Sequence, residues 1–169
     1  MSTPKAVFIA LVVVAMAQAV YYYPQLPETV ASHFDGAGHA NGWSSKAEFF
    51  GVMFGMMALM GFVFLGTPRM ISRVPRNLIS LPYRDHWLSD EHRADTMRFI
   101  DDRMSWFGVA TMLLILATTQ FTIDANLRHH PELPTQFMWV FWAYLAFSLG
   151  WTVYFVLHFA RARKQQNAV

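Results

Sequence analysis

Four long apolar runs constrain the fold more than any other feature of this sequence. They cover residues 6–23, 49–66, 104–123 and 137–159. A helix needs about 20 mostly apolar residues to cross a hydrocarbon core of about 30 Å. The runs show no strict alternation of apolar and polar residues, which disfavours a membrane β-barrel. Residues 1–169 are therefore predicted to form one integral membrane domain, an all-α membrane protein built as a four-transmembrane-helix bundle.

The composition excludes several classes of protein. Only 14% of the residues are charged, against about 25% in average soluble domains. The 169-residue chain has no cysteine, which excludes disulfides, thiolate metal sites and cysteine nucleophiles. The HExxH, GxSxG, P-loop and GxGxxG motifs are absent as well. A non-enzymatic role is favoured.

The basic residues predict an orientation, because loops rich in Lys and Arg stay in the cytoplasm. The loop 67–103 carries seven arginines, and three basic residues follow the last run. The loops 24–48 and 124–136 carry one basic residue each, Lys46 and Arg128. We expect a multi-pass protein of the bacterial cytoplasmic (inner) membrane with both termini cytoplasmic. The basic residues then contact anionic lipid rather than nucleic acid.

The first run has a second interpretation. Lys5, the apolar stretch and Ala17-Gln18-Ala19 resemble a signal peptide with a small-residue cleavage site. The run stays apolar and aromatic through Tyr23, which is typical of an uncleaved span with an aromatic belt.

The two longer loops carry different patterns. Residues 24–48 begin with prolines and contain three glycines that permit tight turns. Their apolar residues Leu26, Val30, Phe34 and Trp43 are unlike a flexible linker, so the loop predicts a short folded extracytoplasmic cap. In the inner loop 67–103, a helix starting at Asp90 places Ala94, Met97 and Ile100 along one side. This pattern predicts a cytoplasmic amphipathic segment that runs into the third span.

Two loop motifs resemble one bacterial membrane family. The first motif consists of Leu26-Pro27, His33-Phe34, Gly38, Asn41 and Lys46. The second is Leu81-Pro82-Tyr83-Arg84-Asp85-His86-Trp87-Leu88, followed by Glu91 and Arg93. Together they resemble the domain of unknown function 1648 family, which is related to the immunity protein against the sporulation-delaying toxin. Ala31 and Asn41 stand where that family usually has Pro and Asp.

The resemblance implies an inner-membrane protein linked to toxin immunity or envelope signalling, without a settled enzyme activity. We expect the outer cap to recognise a peptide or protein partner. The candidate binding residues are Pro27, His33, Gly38, Asn41, Trp43, Lys46 and, from the second motif, Trp87. A homodimer through the GxxxG pair Gly51 and Gly55 is a further expectation.

Two alternative functions remain open at the level of the sequence. In the first, outer-face histidines make the protein a metal-dependent membrane enzyme or a metal carrier, because imidazole and carboxylate groups bind zinc, copper or nickel. The candidate ligands of this divalent metal are His33, Asp35, His39, His129 and His130. A competing interpretation is that His33 only hydrogen-bonds within the cap. In the second, the protein is an accessory subunit of a membrane complex.

Overall fold

The computed structural model describes residues 2–128 and 131–161 and is mostly helical. Its helices are α1 (Thr3–Tyr22), α2 (Lys46–Ile71), the four-residue α3 (Arg84–Trp87), α4 (Arg93–Asn126) and α5 (Thr135–Ala160). Within the described residues, α1, α2, α4 and α5 are long and apolar enough to cross a membrane. The four predicted helices are confirmed.

A β-hairpin connects α1 to α2. Its strands are β1 (Thr29–Phe34) and β2 (Ala40–Ser45), which pair antiparallel with Thr29 opposite Ser45 and Phe34 opposite Ala40. The register shifts between Ala31 and Phe34, so the hairpin is bulged around His33. The sequence predicted an all-α protein, so these two strands were not foreseen. We call these two strands and their turn, residues 29–45, the hairpin.

The second span starts three residues earlier than the predicted residue 49 because of a capping box. The Ser45 hydroxyl accepts a hydrogen bond from the Glu48 N–H, and the Glu48 carboxylate accepts one from the Ser45 N–H. At its other end the helix continues through a π-helical turn, Phe62–Gly66, and a last α-helical turn, Thr67–Ile71. The predicted end at residue 66 is therefore extended by five residues.

The third span is one continuous 34-residue helix, because the segment before it is also helical. Its added first turns bury Thr96 and Ile100 but expose Ala94, so the predicted apolar side is buried only in part. Asp101 in this part pairs with Lys5 at the start of α1. At the other end the helix reaches Asn126, three residues beyond the predicted limit of 123.

The core lies between α1, α2 and α4. Phe8, Ala15, Met53, Met57 and Met112 are among its buried members. By contrast, α5 packs mainly on α4, and none of the residues in its most apolar stretch is buried inside the protein. Three helices thus form the packed unit, and the fourth lies at its edge.

The two ends of the bundle are built differently. At one end, the hairpin end, the hairpin covers the helix termini. The other, the loop end, carries the connection 72–92. There the Trp87 indole N–H donates to the Phe159 carbonyl at 3.0 Å, and Leu88 is buried. Trp87 therefore holds the last turn of α5.

Candidate functional site

A buried amide fixes the hairpin to the bundle. The Asn126 side chain accepts a hydrogen bond from the Ala31 N–H at 2.6 Å and donates one to the Ala31 carbonyl at 2.8 Å. It also donates to the Thr122 carbonyl within α4. Both backbone groups of Ala31 are thus satisfied by one side chain, as they would be by a neighbouring strand. The hairpin is held directly over the end of α4.

Lys46 anchors the segment that precedes β1. Its Nζ lies 2.9 Å from Glu28 Oε1 and donates to the Leu26 carbonyl at 3.4 Å. The ammonium also lies 4.9 Å from the centre of the Tyr23 ring, within the range of a cation–π contact. Since these groups surround the ammonium, Lys46, which the sequence predicts as a binding residue, has a structural role: it holds the segment before β1 against the start of α2.

The hairpin turn is ordered by Asp35 and Gly38. The Asp35 carboxylate accepts hydrogen bonds from the N–H groups of Ala37 and His39, both at 2.9 Å. The His39 N–H is the main cause that holds the pKa of Asp35 below its usual value. Gly38 has φ +89°, and a Cβ there would lie 2.9 Å from the Leu133 carbonyl oxygen. Only glycine fits this position without strain.

The same turn binds the connection between α4 and α5. The Leu133 N–H donates to the Gly38 carbonyl at 2.9 Å, and His39 pairs with Glu132 in an isolated antiparallel bridge. The two loops that the charge pattern predicts on one side of the membrane therefore lie together at the hairpin end.

The predicted binding residues lie at both ends of the bundle. Pro27, Asn41 and Trp43 are exposed, and Trp43 retains 59% of its accessible surface. His33 is exposed too, with its Nδ1 3.3 Å from the Ser32 hydroxyl. Trp87 lies at the loop end, away from all the others. The structure therefore does not unite the two sequence motifs in one site.

Three of the five candidate metal ligands, His33, Asp35 and His39, are among the described residues. His39 Nδ1 lies 3.6 Å from Asp35 Oδ2. His129 and His130 fall outside the described residues. In residues 2–128 and 131–161, no group of three or more His, Asp or Glu side chains is placed to hold a metal ion. The five-residue site stays a prediction.

A cavity of about 700 Å³ lies beneath the hairpin, between α2, α4 and the start of α5. We call it the hairpin cavity. Its volume falls within the range of about 300–1,000 Å³ that is typical of small-molecule sites. Its polar lining comes from the hairpin, the start of α2 and α4, whereas its apolar lining comes mostly from the helices. The described lining residues are Ser32, His33, Phe34, Asp35, Ser44, Glu48, Phe49, Val52, Met53, Met56, Ile115, Thr118, Thr119, Thr122, Leu133 and Phe137.

Two oxygen atoms of this lining have unused hydrogen-bonding capacity. The Ser44 hydroxyl oxygen is buried and has no hydrogen-bond partner among the described residues. Glu48 accepts the Ser45 N–H and hydroxyl through Oε2 alone, so Oε1 takes no hydrogen bond from the described part of the chain. Buried polar atoms in native proteins normally have partners. Glu48 is exposed, so its Oε1 is the acceptor that the cavity offers to a ligand.

Sequence reasoning missed most of this lining. Thr118 and Thr122 are four residues apart and share one side of a helix, which is a readable signal. Nothing in the sequence marks Ser44 as part of a cavity, because its position over α2 depends on the hairpin. The cavity joins residues from separate segments, so no local pattern marks it.

A second polar cluster lies between α1 and α4. Gln18 donates to the Gln120 amide oxygen at 2.8 Å, and Gln120 donates to Asp124 at 2.7 Å and to the Tyr22 hydroxyl at 3.2 Å. The apolar run 104–123 excludes Asp124, but the observed helix includes it. Its carboxylate is partnered by the Gln120 amide, so we interpret the cluster as a contact between the two helices.

The fold and the cavity define a class: a helical membrane-type bundle with a hairpin that covers a ligand-sized cavity. Residues 10–59 match the family model described as Domain of unknown function (DUF1648). The resemblance to this family is confirmed over residues 10–59. The matched part contains most of α1, the hairpin and the start of α2; the second motif lies outside it. No curated protein and no solved structure matches the chain.

Proposed function

We propose that this chain is a multi-pass protein of the bacterial inner membrane with a non-enzymatic binding role. The hairpin cavity carries this proposal. Its volume of about 700 Å³ suits a small ligand, and its lining combines apolar walls with a few polar groups. Binding there is compatible with signalling or with an immunity-like role, and the link to toxin immunity stays a prediction.

The proposed orientation rests on charge. The arginines of residues 67–103 lie at or near the loop end. The hairpin end carries only Lys46, which is already paired with Glu28, and Arg128 among the described residues. Positively charged loops are retained in the cytoplasm. We therefore place the hairpin cavity on the extracytoplasmic side and the folded cap at the membrane surface.

Native mass spectrometry of protein purified in mild detergent tests the binding role. We expect a small-molecule adduct on the wild type that is lost when Met56→Trp fills the cavity. Leu59→Trp is the matched control, because Leu59 is also exposed on α2 but does not line the cavity. The proposal would be contradicted if the wild type, Met56→Trp and Leu59→Trp all carried the same adduct, or if none of the three carried one.

A metal-dependent role is the second candidate. The pairing of His39 with Glu132 brings the residues just before α5 to the hairpin turn, and this turn contains the candidate ligands Asp35 and His39. Elemental analysis of the purified wild type and of His33→Ala tests this candidate. A stoichiometric divalent metal that is lost in the variant supports it, and metal-free wild-type protein refutes it.

Homodimerisation is a proposal that rests on the outer face of α2. Gly51 and Gly55 are exposed, and nothing lies within 4 Å of a Cβ built at either position. Small residues of this spacing permit close approach of a second helix. Gly55→Leu should then lower the dimer fraction seen by cross-linking in membranes, whereas an unchanged fraction would reject this contact.

A further inference from the structure

We propose that the ligand of the hairpin cavity is a single-chain amphiphile with an ammonium headgroup. This inference rests on the proposed binding function and names the chemical class of the ligand. It follows from the uneven distribution of charge, aromatic rings and apolar groups around the cavity.

The charge of the lining favours a cation. Two carboxylates, Asp35 and Glu48, line the cavity, and none of its described lining residues is Lys or Arg. The nearby cation Lys46 is held by Glu28 and by the Leu26 carbonyl, so it does not neutralise them. A phosphate or sulfate headgroup would meet two carboxylates and no described lysine or arginine in the lining, whereas an ammonium group would be attracted.

The hydrogen-bonding groups suit the same headgroup. Glu48 Oε1 and the Ser44 hydroxyl oxygen are acceptors without a described partner. Phe34, Phe49 and Phe137 add aromatic rings to the lining. Aromatic faces attract ammonium groups, including quaternary ones that donate no hydrogen bond. The hairpin and the first turn of α2 can therefore surround a cationic headgroup.

The walls formed by α2 and α4 suit an alkyl chain. Val52, Met53, Met56 and Ile115 are apolar, and methionine side chains adapt their shape to a flexible partner. Val52 and Met56 are also exposed, at 64% and 48% of their accessible surface. The cavity is thus open along α2, toward the hydrocarbon in the proposed orientation. A chain can enter sideways from the bilayer while its headgroup stays under the hairpin.

The test measures equilibrium binding of dodecyltrimethylammonium to the full chain in neutral maltoside micelles. Dodecyl phosphate, with the same chain and the opposite charge, is the comparison probe. We expect saturable binding of the cationic probe and at least tenfold weaker binding of the anionic one. Equal binding of the two probes would overturn the assignment of the headgroup.

Charge-removing variants locate the headgroup. Glu48→Gln keeps the capping box, because Gln also serves at that helix position. We expect it to weaken binding of the cationic probe about tenfold, the equivalent of about 1.4 kcal/mol. The matched control is Asp102→Asn, which removes a carboxylate from α4 near the loop end and should change nothing. An unchanged affinity in Glu48→Gln would refute the ammonium site.

A cavity-filling variant separates the two proposals. If Met56→Trp removes binding of both probes but the probes bind equally, the cavity binds ligands and only the headgroup assignment fails. If neither probe responds to Met56→Trp, nor to Val52→Trp as a second filling variant, binding in the cavity fails as well. Both positions are exposed, so we expect the variants to fold, and circular dichroism checks that they do.

Discussion

At the scale of single residues, Asn126 has the largest predicted effect on stability. Asn126→Ala leaves the buried N–H and carbonyl of Ala31 without partners. Each unsatisfied buried group costs about 1–3 kcal/mol, so we expect the free energy of unfolding to fall by about 2–6 kcal/mol. Thermal or denaturant unfolding in detergent measures the change.

Gln25→Ala is the control for that experiment. Gln25 is exposed and donates only to the Tyr21 carbonyl, one turn earlier in the chain. Its removal should change the free energy of unfolding by no more than about 0.5 kcal/mol. Equal effects of the two substitutions would show that Asn126 does not hold the hairpin.

The stability of the hairpin turn should depend on pH through the carboxyl of Asp35. The hydrogen bonds from the His39 and Ala37 N–H groups lower the pKa of its carboxyl in the folded chain. Because the folded pKa lies below the unfolded one, this carboxylate stabilises the turn at neutral pH. That contribution is lost as the pH falls below about 4 and through the folded pKa. The protection of the Ala37 and His39 amides from exchange, measured relative to the intrinsic rate at each pH, should therefore fall in acid.

Asp35→Asn provides the comparison for the pH experiment, since an amide oxygen still accepts both N–H groups but does not titrate in this range. Exchange at the turn of this variant should show no acid transition of its own. A carboxyl of Asp35 that titrates at or above its usual pKa in the wild type would contradict the assignment.

Individual residues also show what a sequence motif can and cannot reveal. Lys46 and Gly38 stand out in the sequence, and both occupy special positions at the hairpin end. Their contacts, with Glu28 and with Leu133, depend on chain segments that the motif does not specify. Asn126 lies 95 positions after Ala31, so no local pattern could have paired them.

At the scale of elements, the π-helical turn of α2 packs against a glycine. A Cβ at Gly108 would lie 2.7 Å from the Cβ of Phe64, which is in this turn. We expect Gly108→Ala to force the two helices apart at a cost of about 1–3 kcal/mol in the free energy of unfolding. Thermal unfolding in detergent measures the loss.

Gly150→Ala is its matched control. Gly150 also lies inside a long helix, but nothing is within 4 Å of a Cβ built there. Alanine favours helix over glycine, so this variant should be unchanged or slightly more stable. A loss of stability at Gly150 as large as that at Gly108 would refute the packing argument.

The elements differ in how well the sequence predicts them. The four long helices were predictable, because a helix that crosses a bilayer needs a long run of apolar residues and such a run is visible in the sequence. Ser45 and Glu48 form a recognisable capping box, so the start of α2 was predictable in principle. The hairpin was not predictable, because its bulge near His33 interrupts the alternation of apolar and polar residues by which strands are recognised. The π-helical turn depends on tertiary packing, which the sequence pattern does not encode.

At the scale of the whole molecule, the absence of cysteine makes the orientation directly testable. Ala37→Cys places a thiol on the exposed hairpin turn, and Ser80→Cys places one in the exposed connection before α3. Because the arginine-rich side should remain in the cytoplasm, a membrane-impermeant maleimide should label only Ala37→Cys in intact cells.

Both variants should react after the cells are opened, which controls for access to the thiol itself. Labelling of Ser80→Cys alone in intact cells would invert the proposed topology. Labelling of both would indicate that at least one of the two segments is placed wrongly in the proposed arrangement.

The attachment of the hairpin to Asn126 and Leu133 has a consequence for biosynthesis. The family match ends at residue 59, yet the partners that fix its hairpin are at the end of α4 and in the connection after it. A ribosome that has completed the matched segment has not yet made them. The hairpin therefore reaches its final position only after the third span has been synthesised, and folding of this segment must wait for the second half of the chain.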